Sequence, residues 1–255
     1  MKIAVCIKQV IGRDWQPRVA DGGDWIRESD VSFEMNEPDA YALEAALRLK
    51  DTLGGEVVAC SAGPARVAQV LREALARGAD RAIHADDPAL GAADAGAAAD
   101  ALAFALRDEH SDLVLTGLQS DDQGWAQTGV LLAARLGHPH ATIVVEIQTD
   151  GHALRVKREL EGGWFQWVGM SLPAVLTVQS GIHPLRYATL KGIMAAKKKE
   201  VRTIAAPPAA PARVRITALY APEKSKKTHM IPGPPREAAR RLLRHLREDA
   251  QVVPE

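Results

Sequence analysis

Apolar positions in the first 140 residues switch between two periods. Residues 3–7, 57–60, 81–85 and 112–116 are short runs that stay apolar at successive positions. Strands covered on both faces of a parallel sheet have that pattern. Between the runs, apolar residues recur every three or four positions. Asn36, with Asp39 at the third helical position, reads as a helix start and N-cap. Ala40, Leu43 and Leu47 then form one face, and Gly54 and Gly55 end the helix. Pro64 opens a second helix whose Val67, Val70, Leu71, Ala74 and Leu75 share a face before Gly78 stops it. Residues 94–107 form an Ala-rich third helix, and residues 126–136 a fourth, closed by Gly137 and Pro139. Repeated strand-then-helix units predict an α/β fold, a doubly wound parallel sheet of the Rossmann-like kind with right-handed crossovers.

The rhythm changes after residue 140. Residues 142–148, 152–159, 165–168 and 173–177 are β-rich, with Asp150-Gly151 and Gly162-Gly163 as hairpin signals. They predict antiparallel strands that extend the parallel sheet. Residues 205–212 are Ala and Pro alone and read as an extended linker. Residues 236–248 place Ala239, Leu242, Leu243 and Leu246 on one face of a last helix. An isolated helix of that length is marginal in water, so it is expected to dock on its own domain or on a partner. The expected division is residues 1–204 as the α/β domain and 205–255 as linker and C-terminal arm.

Composition narrows the function classes. Lys plus Arg and Asp plus Glu are balanced at 32 each, so no net field recruits nucleic acid or an anionic membrane. No apolar run approaches the ~20 residues that span a bilayer, so no membrane insertion is expected. The first apolar run is interrupted by Lys8 and Gln9 instead of a small-residue cleavage site, and reads as a strand. Cys6 and Cys60 lie inside strand-like runs and read as buried thiols of a reducing compartment, ahead of a disulfide or a metal pair. The expectation is a soluble cytoplasmic protein. The eight histidines are scattered, and Pro139 keeps His138 and His140 from helical alignment, so no metal site is expected. Ser61, Ser111 and Ser171 lack a nucleophile elbow. No catalytic residue emerges.

One polar segment stands out, residues 117–128. It follows the fourth strand and leads into the fourth helix, so it lies at the carboxyl end of a parallel strand, where open α/β sheets bind ligands. The helix N-terminus offers N–H donors to an anion, Gln127 and Thr128 add side-chain donors, and Gly124 permits close backbone approach. On chemistry alone it is equally an ordinary polar turn. Likewise, Asn36 to Asp39 needs no ligand to be a helix cap, and Arg158 and Glu159 need no partner to be a solvated strand.

Order and spacing add more. Residues 156–168 carry acid, two glycines and a glutamine in series; Leu172-Pro173 opens the next strand; residues 186–199 follow with Tyr187, Leu190 and a triple Lys. With Asn36 to Asp39 and residues 117–128, this closely resembles the electron-transfer flavoprotein β subunit family over about residues 1–205. Gly117, Gln119, Asp122, Gln127 and Thr128 match its nucleotide loop, whereas Gln123, Gly124 and Trp125 depart from it. The resemblance implies an AMP site formed by Cys6, Asn36, Glu37, Pro38, Asp39, Ala62, Gly117, Gln119, Ser120, Asp122, Gln123, Gly124, Trp125, Ala126, Gln127 and Thr128. It implies an α subunit that holds most of a shared FAD, with Arg158 and Glu159 near the flavin and the subunit face; Lys157 departs from the usual acid. It also implies that Arg186, Tyr187 and Leu190 form a loop that docks flavin-dependent dehydrogenases, with Lys197, Lys198 and Lys199 steering encounter. Electrons would pass on to an acceptor such as a quinone oxidoreductase. Two alternatives stay open: an electron-bifurcating subunit with a second FAD in place of AMP, and an ATP-binding module of the same fold, which would have no use for residues 156–199.

Overall fold

In the computed structural model, residues 1–207, 212–222 and 228–253 are described. Chain contacts divide it into two compact units, Met1–Leu219 and Tyr220–Glu255. Part of the Ala/Pro segment, residues 208–211, lies outside the described residues.

The elements follow in the order β1 (Lys2–Cys6), β2 (Gln9–Ile11), β3 (Phe33–Met35), α1 (Glu37–Leu53), β4 (Glu56–Gly63), α2 (Ala68–Arg77), β5 (Arg81–Asp86), α3 (Ala95–Leu106), β6 (Leu113–Gly117) and α4 (Thr128–Leu136). Then come β7 (His140–Thr149), β8 (Ala153–Glu159), β9 (Phe165–Ser171), β10 (Ala174–Val178), α5 (Leu190–Ala196), β11 (Val201–Ala205) and, in the second unit, α6 (Pro235–Glu248). Nine strands form one sheet in the order β11-β5-β4-β1-β6-β10-β7-β8-β9, and β2 and β3 pair as a separate ribbon. From β11 to β7 every pairing is parallel; β8 and β9 add an antiparallel hairpin at one edge.

Residues 173–177 correct the sequence reading. They do not join the antiparallel extension. All of β10 is buried, and it lies parallel between β6 and β7, with Leu176 beside Leu115. Its run of apolar residues on both faces is that of a central parallel strand, and the turn glycines belong only to the hairpins on either side of β8. The second helix starts later than Pro64 implies, because residues 65–67 form a single tight turn before α2. It still ends at Gly78, whose φ of 136° suits glycine alone.

Alternation along the central strands sorts the core into two layers. Ile3 and Val5 face α1 and α2 with Leu43, Leu47, Leu71 and Leu115. Ala4 and Cys6 face α3 and α4 with Cys60, Leu102, Val114 and Leu132. Each fully buried Leu or Ile contributes about 1.5–3 kcal/mol. That layered core holds the carboxyl ends of β1, β4 and β6 at one edge. Among the described residues, no helix is long and apolar enough to cross a membrane, and α6 buries none of its residues.

Candidate functional site

The site is built where β1 and β6 end. Asp39, in the first turn of α1, is buried between them and accepts the backbone N–H of Lys8 at 2.8 Å and of Gly117 at 2.8 Å. One carboxylate therefore fastens both strand ends to a helix start. Burial pushes its carboxyl up to about 6, against the opposing hydrogen bonds. Gly117 can be only glycine. A Cβ there would sit 2.6 Å from Asp39 Oδ1 and 2.6 Å from the Pro38 backbone.

Asn36 stands at the N-cap of α1 but makes no side-chain cap bond, contrary to the sequence reading. Its Nδ2 donates to the Gln119 carbonyl at 3.0 Å, and its Oδ1 accepts the Asp121 N–H at 2.9 Å. Pro38 removes one donor of the first helical turn, and Asn36 holds the 117–128 loop instead. Lys8 grips that loop from the other side. Its ammonium donates to Asp122 at 2.7 Å, Gln123 at 2.8 Å and Ser120 at 3.3 Å. Gly124 and Ala126 turn the loop through positive φ of 63° and 53°. The chain then enters α4, where Gly129 packs so tightly on Thr116 and Thr177 that a Cβ would clash with both. Gln127 makes no side-chain cap bond, which leaves the first-turn N–H groups of α4 available to an anion.

Most of the expected site residues share one cleft. Cys6, Asn36, Asp39 and Ala62 line it from the strand ends and α1. Gly117, Gln119, Ser120, Gln123, Trp125, Ala126, Gln127 and Thr128 line it from the loop. Glu37, Pro38, Asp122 and Gly124 are not in the lining. Glu37 pairs with Arg13, Pro38 packs under Gly117, Asp122 pairs with Lys8, and the Gly124 N–H donates to the Ser120 carbonyl at 2.9 Å. Two features were missed. Lys8 also lines the cleft, as does the turn before α3, including Leu90, Gly91 and Asp94. An Asp just before an Ala-rich run was a legible cap signal. Asp94 does cap α3 through Ala97 N–H at 2.8 Å, and its other oxygen accepts the N–H groups of Arg213 and Val214 at 2.7 and 3.2 Å.

The expected partner residues behave differently from one another. Arg158 is a strut: it donates from Nε and Nη2 to the backbone and side chain of Thr142, both at 2.9 Å. Glu159 accepts from Gln179 at 3.5 Å. Beside them Lys157 lies over the Phe165 ring and Trp164 is exposed. Arg186 is also engaged, with Glu44 at 2.8 Å and Asp51 at 2.8 Å. Burial alone would raise the Glu44 carboxyl, but Arg186 and Arg48 hold it below its usual range. Tyr187 and Leu190, in contrast, project into solvent at 87 % and 84 % exposure.

Leu190 lies not in a loop but at the first position of α5, which Thr189 caps by accepting the Gly192 N–H at 3.0 Å. Gly192 seats α5 on α2, since a Cβ there would lie 2.3 Å from the Ala76 carbonyl oxygen. Lys199 corrects a further expectation. Its ammonium donates to the carbonyls of Leu75 and Ala79 beside the end of α2, and burial lowers its pKa. Of the triple Lys, only Lys197 and Lys198 are exposed. Among the described residues, no group of three or more His, Cys, Asp or Glu could hold a metal ion.

This combination, a doubly wound sheet with a cleft across the ends of β1, β4 and β6 and an antiparallel hairpin at one edge, defines a Rossmann-like α/β protein. Residues 23–209 match the model of the electron transfer flavoprotein domain. The chain is 36% identical to electron transfer flavoprotein subunit beta of Methylophilus methylotrophus, over 97% of this chain and 98% of that protein. It is 34% identical to the protein of that name from Syntrophomonas wolfei, over 99% and 98% of the two chains. For the Homo sapiens protein the identity is 38%, over 80% and 81%. The chain belongs to the electron transfer flavoprotein β subunit family.

Proposed function

We propose that this chain is the β subunit of a heterodimeric electron-transfer flavoprotein and binds AMP in the cleft described above. The observation that carries the nucleotide reading is the loop from Gly117 to Thr128. It is held open by Lys8 and Asn36 and ends at a helix start with no side-chain cap. Those donors, with Gln127 and Thr128, fit a phosphate, while the cleft wall from Cys6 to Asp39 fits a nucleoside. The protein needs no bond-forming residue for this role. It supplies binding, orientation and surface; FAD, held mainly by the α subunit, supplies one- and two-electron redox chemistry.

Tyr187 and Leu190 are the residues offered to a flavin-dependent dehydrogenase, and Arg186 fixes the turn that presents them. The hairpin with Arg158 and Glu159 faces the α subunit. A quinone oxidoreductase is the downstream acceptor, and the carrier works in the cytoplasm. Membership of the family supports the electron-transfer role. An exposed anchor on a pinned helix supports the docking role, because a shuttling carrier needs a small, fast-releasing contact.

Co-purification with the α subunit and assay of released nucleotides tests this. One AMP and one FAD per dimer is the expected result. Two FAD and no AMP would assign the electron-bifurcating form instead, and no adenine nucleotide at all would refute the site. The isolated chain is expected to be colourless, since no Gly-x-Gly-x-x-Gly follows any of its strands.

A further inference from the structure

The chain has two cysteines, and they meet. Cys6 of β1 and Cys60 of β4 are register partners on neighbouring parallel strands. Adjacent strands run about 4.8 Å apart, inside the ~4.4–6.8 Å between Cα atoms that a disulfide spans. Both side chains belong to the same apolar layer, under α3 and α4, and both are free thiols. Their surroundings differ in one respect. Cys6 also lines the floor of the nucleotide cleft, whereas Cys60 is fully buried beside it. The Cys60 thiol, then burial, holds the Cys6 thiol above its ordinary range. The thiolate that attacks an oxidant is therefore scarce.

We infer that Cys6 and Cys60 form a reversible, peroxide-oxidised pair at the floor of the cleft, with Cys6 as the thiol oxidised first and Cys60 as its resolving partner. The Cys6 sulfur attacks one oxygen of hydrogen peroxide and the O–O bond breaks, leaving a sulfenic acid and one water. The Cys60 sulfur then attacks the Cys6 sulfur, the S–O bond breaks, and hydroxide leaves with the Cys60 proton as a second water. Two thiols lose two electrons, and one peroxide is reduced to two waters. The disulfide would join strands already hydrogen-bonded in that register, so the sheet keeps its pairing. It would draw the Cys6 sulfur toward Cys60 and reshape the surface a nucleotide rests on. A seated nucleotide covers Cys6, so occupancy protects the pair. Only this protection rests on the AMP reading.

Treating the full-length purified chain with hydrogen peroxide, with and without saturating AMP, tests the inference. Without AMP both thiols should be lost together to alkylation carried out after unfolding, with a mass loss of two hydrogens that dithiothreitol reverses. AMP should slow this tenfold or more. Cys60→Ala should leave a dimedone-reactive sulfenic acid at Cys6, and Cys6→Ala should leave Cys60 reduced. The pair is refuted if peroxide treatment of the folded, AMP-free chain leaves both thiols alkylatable on later unfolding, while the guanidinium-unfolded chain oxidises. Loss of Cys60 at the wild-type rate in Cys6→Ala would overturn the assigned order. Equal oxidation rates with AMP shown bound by a thermal shift would overturn the protection; no thermal shift would instead count against the AMP reading.

Discussion

The cleft and the α5 surface use glycine and charge in opposite ways. In the cleft, Gly117 and Gly129 let backbone press against Asp39, Thr116 and Thr177, and charges are turned inward to hold the loop. On α5, Gly192 and Lys199 press the helix onto α2, and Arg186 fixes the turn before it. The ordered charges there keep Tyr187 and Leu190 facing outward. On the proposed reading, one region is pre-organised to keep a ligand and the other to present a small apolar knob at low entropic cost. If this contrast holds, damage in the cleft appears as lost stability and lost nucleotide, whereas damage to the knob appears only in turnover.

The largest effect is expected at Gly117→Ala. The added Cβ meets backbone and a buried carboxylate at 2.6 Å, neither of which can swing away. Overpacking of this kind costs about 3 kcal/mol. Melting should fall by several degrees, and AMP should no longer raise it. A variant that melts and binds like the wild type would break the account of the cleft as a tight clasp.

Asp39 gives the next effect through pH. Its folded pKa of about 6 lies above the ordinary 3.8, so the folded state binds this proton more tightly than the unfolded one. The group's favourable contribution is complete below the unfolded value, falls as pH rises from about 4 to 6, and is absent above. At ~1.36 kcal/mol per unit the full swing is at most about 3 kcal/mol. Urea unfolding across that window should show this slope flattened in Asp39→Asn, and an unchanged slope would remove Asp39 as its source. Arg186→Ala should cost less, about 2 kcal/mol, because Glu44 keeps Arg48 and so avoids the ~3–5 kcal/mol of a wholly unpaired buried ion. Chemical denaturation reads this directly. A loss below ~0.5 kcal/mol would mean that Arg186 is free for a partner, and not the strut of the turn.

Hydrophobic pattern exposed the alternating core from β1 to α4 because it reports burial, and burial there is continuous. It could not report which neighbour does the burying. Residues 173–177 were therefore legible as a strand but not as one threaded between β6 and β7. The short β2–β3 ribbon and the half-exposed β11 carry too few apolar positions to register at all. In the site, the polar loop and Asp39 were legible by position at a strand end. The work of Lys8 was not, because a lysine after an apolar run is ordinarily a solvated terminus, and its three acceptors lie more than a hundred residues away. Asn36 and Lys199 failed for a related reason: local spacing suggested a cap and a rim charge, and long-range carbonyls claimed both side chains.

The finest test of the contrast is Leu190→Ala. Leu190 is 84 % exposed at the start of a capped helix, and Ala is the stronger helix former, so the substitution removes no core contact. Stability and flavin content should change by less than ~0.5 kcal/mol. If Leu190 fills a pocket on the dehydrogenase, its loss is expected to cost the complex about 1.4 kcal/mol, or tenfold in electron-transfer efficiency. Salt should slow the wild type only mildly, because two exposed lysines instead of three remain to steer encounter. Lys199→Ala separates the roles: it should lower the melting temperature through the end of α2 and leave the salt dependence of electron transfer unchanged. If it flattens the salt dependence without loss of stability, Lys199 belongs to the docking rim after all. If Leu190→Ala lowers the melting temperature while turnover falls no further than stability explains, α5 is structural and the presented knob lies elsewhere.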